Sequence, residues 1–218
     1  YGCSSYFSFF HHFLDINREK SFFVFMTDKE LLQYKREIFE LKIEAGKVFC
    51  FANIFGNNNP VHIEIGSGRG EFLLKKAEQN PQINFVGIDL KDKRIKTILR
   101  KLDEDKHNNV RLMRIFINNE SIAVIPSNSI ARIYLIYPDP WPKKRHFKRR
   151  IINQAFIDVL KKVLRQNGVI EISTDHADYA NWIVEHFQNR DDFMTKYEGG
   201  FSRQKEENHI VTYFEDLK

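Results

Sequence analysis

Paired cysteines are missing from this chain. The two present, Cys3 and Cys50, form no CxxC and no His/Cys ligand spacing. That excludes a disulfide framework and a sequence-encoded metal site, and makes a reducing, cytoplasmic setting the expectation. Long apolar runs are missing too. None approaches the roughly 18 residues a membrane span needs, so no membrane partner is expected. The stretch YGCSSYFSFFHHFLDI at the N-terminus is aromatic-rich but lacks the basic start and small-residue cleavage site of a signal peptide. Low-complexity tracts, internal repeats and linkers are absent as well. What remains, 218 residues of which 42% are hydrophobic, suits one globular domain of the larger sort.

The charge balance leans basic, with a net charge of +5 and a pI near 9.1. A lean of that size says little until the basic residues cluster. The chain opens on Tyr1 rather than Met, as a fragment would. Just after Met26, Thr27 and Glu30 have the spacing of a helix capping box. Residues 1–26 are therefore expected to be a poorly structured extension, and 27–218 the single domain. The competing reading of residues 1–25, a membrane-surface or partner-binding segment, is weakened by how few basic residues they hold.

From Thr27 a helical pattern (Leu31, Tyr34, Ile38, Leu41, Ala45) runs to Gly46. Strand-like and helix-like segments then alternate. VHIEI (61–65), INFVGIDL (83–90), VRLMRIF (110–116), IARIYLIY (130–137) and VIEIST (169–174) read as strands. Helices are expected over 70–79, from the end of INFVGIDL to about Lys106, over 149–166 with Gly168 as the closing glycine, and over 177–187. FMTKYE and IVTYFE in the tail are two further strand candidates. This alternation predicts an α/β fold, doubly wound, with a mostly parallel sheet covered on both faces.

EIGSGRG (64–70) follows a strand and opens a helix, the context of a nucleotide-type cofactor loop. Its glycines, Gly66, Gly68 and Gly70, let the backbone turn tightly and approach a ligand. The spacing is GxGxG, not the GxGxxG of dinucleotide binders, and a bare structural turn is the competing reading. Asp89 ends the next strand, 19 residues past Gly70. A carboxylate there can accept hydrogen bonds from both ribose hydroxyls of an adenosine, or can simply cap the helix that follows. PDPWPKKRHFKRR (138–150) then sets three prolines in five residues against a strongly basic run, with Asp139 locked between two of the prolines. Prolines stop strand and helix alike, so Asp139 should ride on a stiff loop. The glycine loop, Asp89, Asp139 and Asp175 all fall at carboxyl ends of expected strands, where open α/β sheets bind ligands.

IEIGSGRG, GIDL, YPDPWPKKRHFKRR, STD and TKYE, in this order and spacing, resemble the tRNA (guanine-N7-)-methyltransferases. The match runs from about Val61 to the C-terminus, and the PDPWxKxRHxKRR block is its most distinctive feature. The resemblance implies a seven-stranded class I methyltransferase fold, S-adenosyl-L-methionine as cofactor and a variable-loop guanine of tRNA as substrate. It implies cofactor contacts from Glu64, the three loop glycines and Asp89, and makes Asp139 the active-site carboxylate. Lys143, Asp175, Thr195 and Glu198 would bind substrate, while Arg145, His146, Lys148, Arg149 and Arg150 would track the RNA. Monomer and homodimer both fit it. One departure stands out. After NVRLM the family has Asp or Asn followed by Ala, facing the adenine; here those positions hold Phe116 and Ile117, with Asn118 and Asn119 beyond.

The chemistry agrees with the resemblance. Guanine N7 carries a lone pair and no hydrogen, so it needs alignment rather than deprotonation to attack a sulfonium methyl. The product purine is cationic, so a carboxylate held nearby stabilises the developing charge. Asp139 is thus expected to position and stabilise. Phe147 and His146, inside the basic run, offer stacking or packing. Two rival readings remain. PDPW is faintly similar to the (D/N)PP(Y/F) loop of enzymes that methylate exocyclic amines. A non-catalytic RNA-binding module on a methyltransferase fold would account for the acid missing at Phe116.

Overall fold

The computed structural model describes residues 26–118, 120–204 and 210–211. The expected N-terminal extension lies, but for Met26, outside them. Helix α1 (Asp28–Phe39) begins at the capping box read from the sequence. Thr27 Oγ1 accepts from Glu30 N at 3.3 Å, and Glu30 Oε2 accepts from Thr27 N at 2.8 Å. The helix stops short of Gly46 because the chain turns extended at Glu40. There it bridges to Leu112, and Leu41 N donates to Leu112 O at 2.8 Å.

A short helix, α2 (Phe51–Phe55), precedes the alternating body of the fold. In order come β1 (Val61–Ile65), α3 (Glu71–Gln79), β2 (Asn84–Asp89), α4 (Asp92–Lys101), β3 (Val110–Arg114), β4 (Ile130–Ile136), α5 (Gln154–Val163), β5 (Leu164–Ser173) and α6 (Ala177–Gln188). The sheet order is β3-β2-β1-β4-β5, and every pairing is parallel. All six residues of β2 are buried, as a central parallel strand covered on both faces requires. One face packs Phe85, Leu112 and Tyr134 under α1, α3 and α4, through Phe39, Leu73, Ala77, Ile95, Ile98 and Leu99. The other packs Ile63, Val86, Ile88 and Ile133 under α2, α5 and α6, through Phe51, Ile157, Leu160 and Tyr179.

The doubly wound expectation holds, but the strand count does not. The described residues form five strands rather than seven. FMTKYE is a turn: Thr195 Oγ1 donates to Gly200 O at 3.1 Å and accepts from Tyr197 N at 3.1 Å. Such side-chain-to-backbone bonds compete with a ladder for the same groups. IVTYFE runs beyond Val211, outside the described residues.

Helix α5 is also shorter than its pattern. Asn153 Oδ1 accepts from Phe156 N at 3.1 Å and caps it there, while Lys144–Arg149 wind into a separate 3₁₀ helix. At its other end β5 begins at once. The register then slips between Ile130/Leu164 and Arg132/Val169, so residues 165–168 bulge out of the ladder. The left-handed residue of that bulge is Asn167 (φ 58°), not the expected Gly168.

Candidate active site

Strands β2 and β3 continue the sheet to one side of β1, and β4 and β5 to the other. Strand order therefore reverses between β1 and β4, which opens a crevice at their carboxyl ends. β1 leads into the glycine loop at that crevice. Gly66 N and Ser67 N both donate to Ile88 O, at 2.8 and 3.1 Å, so the loop is laced to the end of β2. Gly66, Gly68 and Gly70 all have positive φ. A Cβ at Gly66 would meet nothing within 4 Å, so its face of the loop is an open cradle. A Cβ at Gly70 would lie 2.9 Å from Ile98 Cγ1, so there glycine is needed for α3 to seat on α4.

Glu64 and Asp89 lie beneath this loop. Glu64 is 4% exposed, and its Oε2 is buried without a hydrogen-bond partner. Burial pushes its carboxyl up to about 8, against a smaller opposing pull from Ser67. Asp89 is 3% exposed and well supported. Its Oδ1 accepts from Lys91 N at 2.9 Å, and its Oδ2 from Gly68 N and from Arg94 Nη1, each at 3.2 Å. An ionised carboxylate offers about four lone-pair sites, so acceptor capacity is left for a ligand hydroxyl.

Across the crevice, β4 runs into Pro138–Asp139–Pro140. Tyr137 N donates to Ser173 O at 2.9 Å, so the ladder with β5 extends one residue past the strand. Tyr137 (φ 51°) and Trp141 (φ 43°) are both left-handed, and each directly precedes a proline. Bulky residues adopt that conformation only when their surroundings dictate it. Asp139, between these fixed points, is exposed. Asp175 follows β5 at the same edge and is exposed as well.

The basic run forms the 3₁₀ helix, in which residues three apart share a row. His146 and Arg149 form one row, over Trp141. The His146 ring stands edge-on to it with centroids 5.6 Å apart, and the Arg149 guanidinium lies 4.9 Å over its face. Arg145 and Lys148 form another row, and they are exposed, as is Lys143. Phe147 packs inward against Trp182. Arg150 departs from the expectation for the run: it is 2% exposed and turned into the protein. Thr195 and Glu198 are exposed in the turn after α6, which rests on that helix where Gly200 meets Val184. The structure thus brings Glu64, the glycines, Asp89, Asp139 and Asp175 to one edge, whereas Thr195 commits its hydroxyl to its own turn.

Asn118, beyond the position where the resemblance implies an acid or amide, is exposed. Its Oδ1 accepts from Glu120 N and Ser121 N, at 3.1 and 2.8 Å, and holds a local turn. Phe116, two residues past the end of β3, is 63% exposed. Sequence reasoning missed Ser67, Gly87 and Arg94. Gly87 had a signal, a glycine inside a strand: a Cβ there would press to 2.9 Å from Ser67 Oγ. Among the described residues, no group of three or more His, Cys, Asp or Glu is arranged to hold a metal ion, and no helix is long and apolar enough to cross a membrane.

Residues 58–217 match a family described as putative methyltransferase. Over 164 residues the chain is 35% identical to the tRNA (guanine-N(7)-)-methyltransferase of Bacillus licheniformis, covering 75% of this chain and 76% of that protein. The protein of the same name from Bacillus subtilis is 34% identical over 163 residues, again with 75% and 76% covered. A solved structure of an antibiotic-related methyltransferase shares the fold, with a TM-score of 0.50 at 20% identity, covering 68% of this chain and 79% of that one. With a family model matched over most of its length and relatives at 34–35% identity over three quarters of it, the chain belongs to the tRNA (guanine-N7-)-methyltransferase family.

Proposed function

We propose that residues 27–218 act as one methyltransferase domain that transfers a methyl group from S-adenosylmethionine to N7 of a guanine in the tRNA variable loop. The observation that carries this reading is the alignment, on one sheet edge, of a cofactor-type cradle with an acid on a strained loop that opens into basic residues. When bound, S-adenosylmethionine supplies a methyl group on a positively charged sulfur. The residues present suit it. The unpartnered oxygen of buried Glu64 is free to hydrogen-bond a polar group of the ligand, Asp89 retains acceptor sites, and the loop at Gly66 leaves room.

Asp139 addresses the purine. N7 attacks without losing a proton, so the carboxylate need not act as a base. Its work is to fix the guanine and to face the charge that grows on the ring. Lys143, Arg145, Lys148 and Arg149 are placed to meet phosphates, which set register without reading sequence. Asp175 and Glu198 are acids on an RNA-binding surface and need a local purpose. The Watson–Crick edge of guanine presents N1–H and N2–H₂ donors side by side, and a carboxylate accepts from both. Gripping that edge turns N7 the other way, toward the cofactor.

Incubation with methyl-labelled cofactor and bulk tRNA, followed by nucleoside analysis, tests the proposal. 7-Methylguanosine is the expected product. A methylated exocyclic amine would defeat the N7 assignment. Cofactor binding without any transfer would leave an RNA-binding module.

A further inference from the structure

The last residue of the basic run behaves unlike the others. Arg150 Nε donates to Pro140 O at 2.9 Å, while the guanidinium carbon lies 3.7 Å over the Phe147 ring, 4.8 Å over Trp182 and 5.0 Å over Tyr179. Its Nη2 is buried without a hydrogen-bond partner. A buried cation with no carboxylate bonded to it is costly to maintain, and an apolar residue would fill such a space more cheaply. Arginine suits this site because its planar, weakly hydrated head stacks on aromatic faces and still aims a directed N–H. The group receiving that N–H is the carbonyl of Pro140, the residue after Asp139. The Tyr179 ring beneath shares the neighbourhood. Burial raises its hydroxyl pKa, the Arg150 cation pulls it down and the Asp139 carboxylate pushes it up.

We propose that Arg150 is a positioning residue, not an RNA contact: it clamps the Pro140 carbonyl and so fixes Asp139 at the crevice. The clamp joins neighbouring and distant chain. Phe147 comes from the 3₁₀ helix, while Tyr179 and Trp182 come from α6, and Trp182 is itself held by Nε1 donating to Ile152 O at 2.8 Å. α6 thereby braces the loop through the guanidinium. This also accounts for the strained conformations. Tyr137 is pinned on one side of Asp139 by β5. On the other side Pro140 is pinned by Arg150, and Trp141 is covered by Arg149.

The proposal rests on the methyl-transfer reading for its kinetic consequence but not for its structural one, and the test separates the two. Arg150→Met keeps an unbranched apolar stem of most of that length and removes the N–H and the charge. The chain has two tryptophans, Trp141 and Trp182, and both lie at the clamp. Release of the loop should shift their emission to the red and admit acrylamide, with no substrate present. Unchanged emission and quenching would overturn the clamp whatever the enzyme's substrate.

With tRNA, the single-turnover rate should fall roughly tenfold to a hundredfold, the scale of a small misplacement at a reacting centre. The salt dependence of tRNA binding should stay as in the wild type. A log–log slope reduced by about 0.7–0.9 would make Arg150 a phosphate contact and overturn the proposal. In an Asp139→Asn background the further loss from Arg150→Met should nearly vanish, because the two residues act as one unit. Losses that multiply independently would overturn it as well. If the Met variant does not fold, Arg150→Lys carries the same measurements: it preserves the buried charge and loses the planar donor, so turnover should fall there too.

Discussion

The two halves of the sheet treat their carboxylates in opposite ways. On the β1–β2 side, Glu64 and Asp89 are buried, and backbone amides and Arg94 hold Asp89 before any ligand arrives. On the β4–β5 side, Asp139 and Asp175 are exposed, and Asp139 owes its position to prolines, two left-handed aromatic residues and an arginine clamp. A cofactor is one molecule of fixed shape, so burial can be built around it. A tRNA is large and arrives from solvent, so on the proposed reading the acid that meets it stands outside and is stiffened from beneath.

Removing charge without changing shape on the exposed side should have the largest effect. Asp139→Asn is expected to lower turnover by roughly a hundredfold or more while tRNA binding changes far less. Steady-state rates beside a gel-shift or fluorescence titration check it, and unaltered turnover would sink the role. Next in size is the basic row. Arg145→Ala with Lys148→Ala should weaken tRNA binding and lower its log–log salt slope by about 0.7–0.9 per lost contact, as titrations at several salt concentrations would show. Weaker binding at constant slope would mean that these side chains support the fold instead.

The buried side predicts a pH effect. Glu64 keeps its proton in the fold up to about 8, while in the unfolded chain it ionises near its ordinary value of 4.5. Between those values the native state binds more protons, so this group's contribution to stability falls as pH rises and levels off above about 8. Denaturation of the cofactor-free protein at pH 5, 7 and 8.5 should show the decline in wild type and a flatter profile in Glu64→Gln. A profile that rises over this range in wild type but not in the variant would refute the protonated state. Outside both halves, Thr27→Ala removes the cap of α1 and should cost about 1 kcal/mol, read as a lower denaturation midpoint with turnover unchanged.

The same contrast explains what the sequence made legible. Apolar strand segments bounded by turn residues placed β1 to β4 within a residue or two, and the carboxyl-edge rule then gathered the glycine loop and three aspartates. The start of β5 was hidden because Arg165, Gln166 and Asn167 are polar residues of a bulge, and nothing local distinguishes them from a helix end. The burial of Arg150 was only partly legible, for a different reason. A lysine- and arginine-rich run looks solvated throughout, and the residue's burial is decided by Tyr179 and Trp182, which reach it only through the tertiary fold.

The strand order has a consequence for how the molecule comes into being. β1, β2 and β3 are neighbours in sequence and in space, so a growing chain can assemble them as soon as Arg114 has been made. The far side of β1 is then an open ladder waiting for a strand still to be synthesised, and an unpaired parallel edge invites wrong partners. No hairpin joins any two of the five strands, so each pairing must close across an intervening crossover, a slow topology. The crevice lies along this seam. The half that holds Glu64 and Asp89 is born first, and Asp139 arrives just after β4, the strand that pairs with the open side of β1, so the edge where these carboxylates gather is completed late in the protein's own folding.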